Sequence, residues 1–322
     1  MQKLVIGIDI GGTSTKFGLA ARDGRVIYNS RISTTGHDSF ETYFDILTGE
    51  IEQAIQSLGN EAEILGAGVG APNGNIYTGT IENAPNLPWK YQLPIAKLLQ
   101  DKFNIPAMLT NDANAAAIGE MVYGGAKGMR DFVVITLGTG LGSGIVANGS
   151  VVYGHDGYAA EMGHVTVRNN GRQCACGKKG CLETYVSATG LKRTLYKLMA
   201  DEVADSGLRD ISYNDLSTTA ISDAALNGDP IALKAFEYTG KILGRELANT
   251  VAYTSPAAIF LFGGLAKAED LIFDPTKKHM EDNLLSFYKG KVKILPSGLG
   301  DENAPILGAS SLIWKHLEEN NS

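Results

Sequence analysis

Residues 4–30, LVIGIDIGGTSTKFGLAARDGRVIYNS, decide the fold of this chain. The stretch holds three runs rich in β-branched and apolar residues, and such runs predict strands. A glycine pair and an Asp-Gly dipeptide separate the runs, and these residues favour tight turns between antiparallel neighbours. The predicted strands are Leu4–Ile10, Thr15–Ala20 and Val26–Ser30, and the predicted turns are Gly11-Gly12 and Asp23-Gly24.

Helices and strands alternate in the rest of the first half. Apolar residues recur at helical spacing from Phe40 to Ile55, which predicts an amphipathic helix. A buried strand at Ile64–Gly70 leads into a long proline-containing loop, and a helix at Ile95–Phe103 precedes a strand at Ala107–Thr110. The predicted order of the first half is βββαβαβ.

The second half repeats this order without repeating the sequence. Its first three strands are again joined by a glycine-rich turn and a two-residue hairpin turn, and helices and strands follow. Asp229-Pro230 is typical of a helix start, with the cap residue before proline. The other predicted segments are strand Phe132–Leu137, turn Gly138–Gly144, strand Ile145–Ala147, turn Asn148-Gly149, strands Val151–Tyr153, Ile259–Phe262 and Val292–Leu295, and a closing helix around Gly308–His316. The repeat indicates two similar α/β domains that face each other across a cleft, a common place for a ligand.

Composition limits the class of protein. The chain has 322 residues, of which 44% are hydrophobic and 20% charged, as in ordinary soluble proteins. Its formal net charge of -7 argues against a nucleic-acid partner. Residues 1–10 form a short apolar run interrupted by Asp9, too short for a signal peptide or a membrane span. We therefore expect a cytoplasmic protein with no membrane partner.

Two glycine-threonine turns occupy equivalent places in the two halves. The first, Asp9–Lys16, joins two strands, so it matches neither a Walker A loop nor a dinucleotide-binding turn, since both of these lead into a helix. Its backbone N–H groups can still bind phosphate oxygens, and Asp9 could hold Mg²⁺ through water. The second turn begins at Gly138, and together the two turns suit a triphosphate held from both sides. The alternative for each turn alone is an ordinary hairpin.

Two further sites have two interpretations each. Gly263-Gly264 suits close approach of a nucleoside, and equally a plain glycine turn after a strand. Asn111 and Asp112 follow a strand and open a helix, so they are natural cap residues. Asp112 could also act as a general base that accepts the proton of an attacking sugar hydroxyl.

All the cysteines lie within one short segment, residues 161–183, EMGHVTVRNNGRQCACGKKGCLE. Three thiols at Cys174, Cys176 and Cys181, with His164 upstream, predict a tetrahedral Zn²⁺ site. The alternative is three free thiols on a loop. An odd number of clustered cysteines fits a reducing compartment better than a disulfide framework.

Taken together, these motifs resemble the ROK family of sugar kinases, which has the hexokinase–actin–Hsp70 ATPase fold. The resemblance covers essentially the whole chain, and the cysteine motif is the most specific part of it. The motifs are residues 9–13 (DIGGT), 82–89 (ENAPNLPW), 111–114 (NDAN), 137–140 (LGTG), 161–164 (EMGH) and 174–183 (CACGKKGCLE). The loop at 71–76, APNGNI, departs from the family pattern, and we assign it no role.

The resemblance implies two actin-like (RNase H-like) α/β domains, one formed by residues 1–111 and about 305–322, the other by 112–304 with the zinc loop inserted. It also implies a homodimer, with ATP and Mg²⁺ as co-substrate and a structural Zn²⁺ held by His164, Cys174, Cys176 and Cys181. Asp112 would be the catalytic base. The implied sugar-binding residues are Asn86, Asn111, Asp112, Glu161, His164 and Glu183. The resemblance implies ATP contacts from Gly7–Ser14 and Gly138–Ile145. Together with the turns described above, the expected ATP-binding residues are Asp9, Gly11, Gly12, Thr13, Lys16, Gly138, Thr139, Gly140, Gly263 and Gly264.

The expected function is a glucokinase, which phosphorylates the C6 hydroxyl of glucose. An N-acetylmannosamine kinase or another hexose kinase of the family is the alternative, because these enzymes share nearly all the motifs. A sugar-responsive transcriptional repressor would carry a helix-turn-helix before the sugar domain, whereas the first predicted strand begins at Leu4. An actin-like assembly protein would have no use for the zinc loop.

Overall fold

The computed structural model describes residues 1–300 and 303–319. Its strands are β1 Gln2–Ile10, β2 Ser14–Ala21, β3 Val26–Ser33, β4 Ala62–Gly70, β5 Gly74–Asn75, β6 Thr80–Ile81, β7 Ala107–Thr110, β8 Phe132–Leu137, β9 Leu141–Ala147, β10 Ser150–Val151, β11 Ala258–Phe262 and β12 Lys293–Pro296. Its α-helices are α1 Phe40–Ser57, α2 Ile95–Phe103, α3 Asp112–Val122, α4 Ala188–Asp201, α5 Thr218–Leu226, α6 Pro230–Thr254, α7 Asp270–Asn283 and α8 Ala304–Glu319. Short 3₁₀ helices cover Gly59–Glu61, Met162–His164, Leu182–Thr184 and Gly264–Ala268.

Two five-stranded sheets have the same topology. The first has the order β3-β2-β1-β4-β7 and the second the order β10-β9-β8-β11-β12. In each, the first three strands of the chain pair antiparallel, and the two later strands add in parallel. The repeat of topology predicted for a two-domain α/β protein is therefore present.

The glycine-rich segment after β8 differs from the prediction. The turn covers only residues 138–140, and β9 begins at Leu141 and includes Gly142 and Gly144. These two glycines let α3 approach the strand, because a Cβ on Gly144 would lie 2.8 Å from the carbonyl oxygen of Ala113. Their role is packing, so the prediction of a turn through Gly144 was wrong.

Other boundaries moved by a few residues or were not predicted. The strand expected at Val151–Tyr153 is the two-residue β10, and the expected strand at Val292–Leu295 is β12, one residue later. The β5–β6 hairpin lies in the segment predicted as a loop. The helix start at Asp229-Pro230 is confirmed, since the Asp229 carboxylate accepts hydrogen bonds from Ile231 N and Ala232 N.

The last helix, α8, packs on the first sheet although it follows the second in the chain. It lies on glycines of β1 and β4, where a Cβ on Gly68 would come 1.9 Å from the carbonyl oxygen of Ala309. The assignment of residues from about 305 onward to the first domain stays a prediction, and residues 320–322 lie outside the described residues. The boundary at residues 111 and 112 stays a prediction, because α3 contacts β4 and α8 as well as β8 and β9.

Each sheet has its own hydrophobic core. One core combines β1, β2, α1 and α2 around side chains such as Phe17 and Tyr43, and the other combines β8, β11, α4 and α6 around Phe236 and Leu243. In the described part of the chain, every helix is too short or too polar to cross a membrane.

Candidate active site in the cleft between the sheets

A cleft of about 410 Å³ runs between the two sheets. Its walls come from strand ends, from the start of α3 and α8, and from the segment before the cysteines. Eleven residues singled out from the sequence line it: Asp9, Asn86, Asn111, Asp112, Gly138, Thr139, Gly140, Glu161, His164, Glu183 and Gly263. Residues distant in the chain are thus brought to one place.

The remaining predicted residues of the nucleotide site lie beside the lining rather than on it. Gly11, Gly12 and Thr13 form the turn between β1 and β2, just after Asp9. Lys16 faces Asp9 across the antiparallel pair, and Gly264 follows Gly263. The Gly12 backbone lies against the loop that carries Asn86, because a Cβ added to Gly12 would be 2.7 Å from the carbonyl oxygen of Asn86.

Asn111 and Asp112 occupy the start of α3. The Asn111 side chain caps the helix by accepting a hydrogen bond of 2.8 Å from Ala113 N. Asp112 Oδ1 also lies 2.8 Å from that nitrogen, and the side chain is open to the cleft. The walls around Asp112 remove much of its hydration, and this desolvation raises the pKa of its carboxyl above the ordinary range for aspartate.

Asp9 is the residue before the last of β1 and lies on the other side of Gly70. A Cβ on Gly70 would be 3.6 Å from Asp112 Cα and 3.7 Å from Asp9 Oδ1, so the two acids flank this glycine. Desolvation and the like charge of Asp112 raise the pKa of Asp9 to about 7, although the nearby Lys16 ammonium acts in the opposite direction. Such a carboxylate gains from any cation that enters the cleft.

The segment after β8 connects the cleft to α4. Gly138 N donates to the carbonyl of Gly140, which closes the turn, and the carbonyl of Gly138 accepts from Ala188 N at 2.9 Å. On the neighbouring strand, Gly263 has φ 102°, a conformation that favours glycine, and its Cβ would collide with Leu137 O at 2.7 Å. At Gly138, Gly140 and Gly263 the wall of the cleft is therefore backbone.

Three polar residues near the cysteines line the same cleft in different environments. Desolvation raises the pKa of Glu161, and the charges of Asp112 and Glu183 add to this, while His164 opposes it. Glu183 is already engaged, because its Oε2 accepts a hydrogen bond of 3.0 Å from Leu141 N. Glu161 has the more open carboxylate of the two glutamates.

The three cysteines and His164 converge into one cluster. Their candidate ligand atoms all lie within 4.8 Å of one another, with 3.7 Å between Cys174 Sγ and His164 Nδ1 and 3.7 Å between Cys176 Sγ and Cys181 Sγ. Ligands of a tetrahedral Zn²⁺ with Zn–S bonds of about 2.3 Å would be about 3.8 Å apart. These residues therefore fit a metal ion of that kind.

Arg172 anchors the cysteine segment to α4. Its guanidinium donates to the carbonyl oxygens of Thr184 and Gly190 and to Thr194 Oγ1, at 2.7, 3.0 and 3.0 Å. It also lies 4.5 Å from the centre of the Tyr185 ring. Because Thr184 directly follows Glu183, this anchor restrains one wall of the cleft.

Lys90 plays a similar part in the loop that carries Asn86. Its ammonium group donates to the carbonyl oxygens of Ala84, Pro85 and Leu87, so all three of its protons go to that loop. The loop closes over a cluster of aromatic rings, in which Trp89 lies 4.7 Å from Tyr43 between ring centres.

Part of the lining was not identified from the sequence. Residues 72–74 and 157–160 face the cleft from opposite sides, and Leu299, Ala304, Pro305 and Gly308 close another part of it. The first group lies in the loop that departs from the family pattern. The residues near α8 carry no local signal, because they reach the cleft only through the packing of α8 on the first sheet.

The comparisons with known proteins agree with this architecture. The ROK family model matches residues 5–316. The chain belongs to the ROK family. This ROK protein is 32% identical to a glucokinase of Halalkalibacterium halodurans, over 96% of this chain and 94% of that one.

Solved structures and regulators of the family are also similar. The ROK family glucokinase from Streptomyces griseus, solved with glucose and AMPPNP, superposes with a TM-score of 0.79 at 31% identity, covering 96% of this chain and 98% of that one. A xylose repressor of Bacillus spizizenii is 30% identical, over 97% of this chain and 77% of the repressor. Both sugar kinases and sugar-responsive regulators thus resemble this ROK protein.

Proposed function

We propose that this ROK protein is an ATP-dependent hexose kinase that phosphorylates the C6 hydroxyl of glucose. The observation that carries the proposal is the place of Asp112, a desolvated carboxylate at the start of α3 that opens into a cleft walled by both glycine turns. The similar glucokinase that was solved with glucose and AMPPNP supports a hexose and a nucleoside triphosphate as the two ligands of the cleft. A raised pKa suits a base that works near neutral pH.

In the proposed mechanism, the hexose lies among Asn86, Asn111, Glu161, His164 and Glu183. The triphosphate lies along the turns at residues 11–13 and 138–140. The N–H groups of Gly11 and Gly138 close these turns, and the other backbone N–H groups of the turns bind the phosphate oxygens. Asp112 accepts the proton of the C6 hydroxyl while that oxygen attacks the γ-phosphorus in line and the bond to the ADP oxygen breaks. Walls on both sides of the cleft keep water from competing as the nucleophile.

Two metal ions complete the proposal. Asp9, whose charge is disfavoured by desolvation and by the charge of Asp112, would hold Mg²⁺ through water, and that ion would neutralise the charge of the phosphates. The cluster of His164, Cys174, Cys176 and Cys181 would hold Zn²⁺ in a purely structural role, because four protein ligands leave no open position. The ring nitrogen of His164 not facing the thiols is then free to bind a sugar hydroxyl.

The decisive experiment is a coupled assay for ADP release with MgATP and a panel of glucose, mannose, fructose, N-acetylglucosamine and N-acetylmannosamine. Glucose should give the highest kcat/KM. Preference for N-acetylmannosamine would support the other kinase of the family, and no turnover with any hexose would contradict a kinase.

The role of Asp112 is tested by Asp112→Asn. We expect kcat to fall by about 10²- to 10⁴-fold, the usual contribution of a general base, while calorimetry still detects glucose and ATP binding. Asn keeps the size of the side chain and can cap α3, so a loss of binding is not expected. A variant that retained the wild-type kcat would rule out Asp112 as the base.

The similarity to the xylose repressor favours a sugar-responsive regulator as the second candidate. Such a protein would bind sugar without turnover, and electrophoretic mobility shift with operator-like DNA would detect it. The net charge of -7 disfavours this candidate. We further propose a cytoplasmic homodimer, which light scattering would test for its oligomeric state.

A further inference from the structure

A set of contacts joins the two sides of the cleft close to the proposed sugar site. The contacts connect residues around the β5–β6 hairpin with the segment that follows β10. We call this set the cross-cleft clasp, and its members are Asn75, Tyr77, Glu82, Gly154, Asp156, Gly157 and Tyr158.

The Tyr158 hydroxyl donates a hydrogen bond to Glu82 Oε2. The other carboxylate oxygen accepts from Thr78 and Thr80, at 3.0 and 3.1 Å, so the carboxylate is held from both sides. The hydrogen bond from Tyr158 is the main reason why the pKa of Glu82 lies below its ordinary value. The acceptor is therefore ionised at neutral pH, and a bond between a hydroxyl and a carboxylate is among the stronger kinds.

Two further residues support this bond. The buried Asn75 amide donates to the carbonyl of Asp156 at 2.9 Å, and the Tyr77 hydroxyl donates to the carbonyl of Gly154 at 2.8 Å. Gly157 lies so close to Asn75 that an added Cβ would be 2.7 Å from Asn75 Oδ1. The contact is thus specific in shape as well as in hydrogen bonding.

On each side of the clasp, a proposed sugar-binding residue follows a few positions later in the chain. Glu82 begins the segment that ends at Trp89 and carries Asn86, and Tyr158 shortly precedes Glu161. The residues between Tyr158 and Glu161 line the cleft, as does Asn73, whose side-chain amide donates to the carbonyl of Glu82 at 2.9 Å. Movement of the clasp would therefore displace first the walls of the cleft that carry Asn86 and Glu161.

We propose that Glu82 and Tyr158 are positioning residues for the hexose, and that their hydrogen bond holds Glu161 opposite Asn86 across the cleft. This inference rests on the proposed function and adds the reason why that end of the cleft is preorganised. A preorganised site binds more tightly because less ordering accompanies ligand entry. The clasp is expected to act on the sugar and hardly on the nucleotide.

The test compares Tyr158→Phe, Glu82→Gln and the double variant with the wild type. Tyr158→Phe should raise the KM for glucose about tenfold, the effect of a lost hydrogen bond to a charged group, while kcat and the KM for MgATP change by less than about twofold. The double variant should be no worse than Tyr158→Phe, because both substitutions remove one interaction. Tyr253→Phe, at a tyrosine 88% exposed on α6, serves as the control for loss of a phenol hydroxyl.

Hydrogen exchange separates this inference from the proposed function. In Tyr158→Phe, the amides of residues 154–161 should exchange faster, whereas those of β8 and β9 should not change. An unchanged KM for glucose, or equal increases for glucose and MgATP, would overturn the inference. If the wild type phosphorylates no hexose, the proposed function fails, and the exchange experiment still decides the clasp: unchanged exchange at residues 154–161 overturns it.

Discussion

Asp9 and Asp112 show how the surroundings of one residue determine its chemistry. Both are ordinary aspartates in the sequence, and both end up beside Gly70 in a cleft that removes water from them. Desolvation raises the pKa of both carboxyls, and the charge of Asp112 raises the pKa of Asp9 further. The charge of Asp112, the candidate base, lies close to Asp9 and therefore predisposes Asp9 to accept a cation.

A pH profile tests this view of Asp112. The base must be deprotonated to accept the hydroxyl proton, so kcat/KM for glucose should fall as the pH decreases through the raised pKa of Asp112. We expect this loss to occur clearly above about pH 4, the ordinary range for aspartate. A rate that stays constant from about pH 8 to pH 4.5 would contradict the raised pKa.

The control for that profile is Asp112→Asn. MgATP itself gains a proton in mildly acid solution, so its binding should be measured by calorimetry over the same pH range. Since the variant has no titratable group at position 112, any pH dependence that remains in its binding belongs to other groups. The difference between the two profiles isolates Asp112.

At the scale of elements, glycines decide how closely the helices approach the sheets. The sequence predicts Gly142 and Gly144 as part of a turn, whereas their neighbours in space include Ala113 and Ala117 of α3. Gly7 and Gly68 likewise lie under α8, near the backbone of Ile306 and Ala309. The sequence alone does not distinguish a glycine needed for a turn from one that lets a ligand or a helix approach the strand.

The packing of α8 predicts the effect of Gly68→Ala. The new Cβ would lie 1.9 Å from the carbonyl oxygen of Ala309, so α8 or β4 must shift. The free energy of unfolding should decrease by about 1–3 kcal/mol, as for other overpacked interiors. Urea denaturation followed by circular dichroism would measure the change.

Gly49→Ala is the matched control for that substitution. Gly49 lies within α1, and nothing lies within 4 Å of a Cβ added there. The same chemical change should therefore raise the free energy of unfolding, by about 0.5–1 kcal/mol, because alanine favours the helix. Equal effects of the two variants would mean that α8 does not pack closely on β4.

At the scale of the whole molecule, two spectroscopic probes report on different parts of the protein during unfolding. The chain has two tryptophans, Trp89 in the first core and Trp314 on α8, and both are buried. Their fluorescence therefore reports on the first proposed domain, including its C-terminal helix. Far-ultraviolet circular dichroism reports on the helices and strands of both domains.

Cys176→Ala uses these reporters to test the metal site and the domain division together. Loss of one thiolate should release Zn²⁺ and loosen the second domain, since structural zinc sites stabilise the fold around them. We expect a transition at lower temperature in circular dichroism, while the tryptophan transition moves much less. Metal analysis should find about one zinc per wild-type chain and less in the variant.

Coincident shifts of both probes would instead mean that the two domains unfold as one unit. Unchanged melting, with no zinc in the wild-type protein, would contradict the structural metal. Ala is small enough to fit at position 176 because the Cys176 side chain is exposed, so overpacking does not confuse the result.

Several features could be predicted from the sequence because they depend on nearby residues. The first three strands, the helix at Phe40, the helix start at Asp229 and the cysteine cluster are local patterns of spacing, and the structure reproduces them. The two-sheet repeat also follows, since the same turn chemistry recurs in both halves. These features needed no knowledge of what lies across the cleft.

Only the tertiary structure decided the rest. It set Ala309 of α8 against Gly68, made Gly142 and Gly144 packing positions, engaged Glu183 with Leu141 N, and joined Tyr158 to Glu82. Each of these contacts links segments far apart in the chain, and its energy depends on the geometry of the whole fold. Local sequence patterns contain no record of such distances, so these contacts could be found only by bringing the segments together.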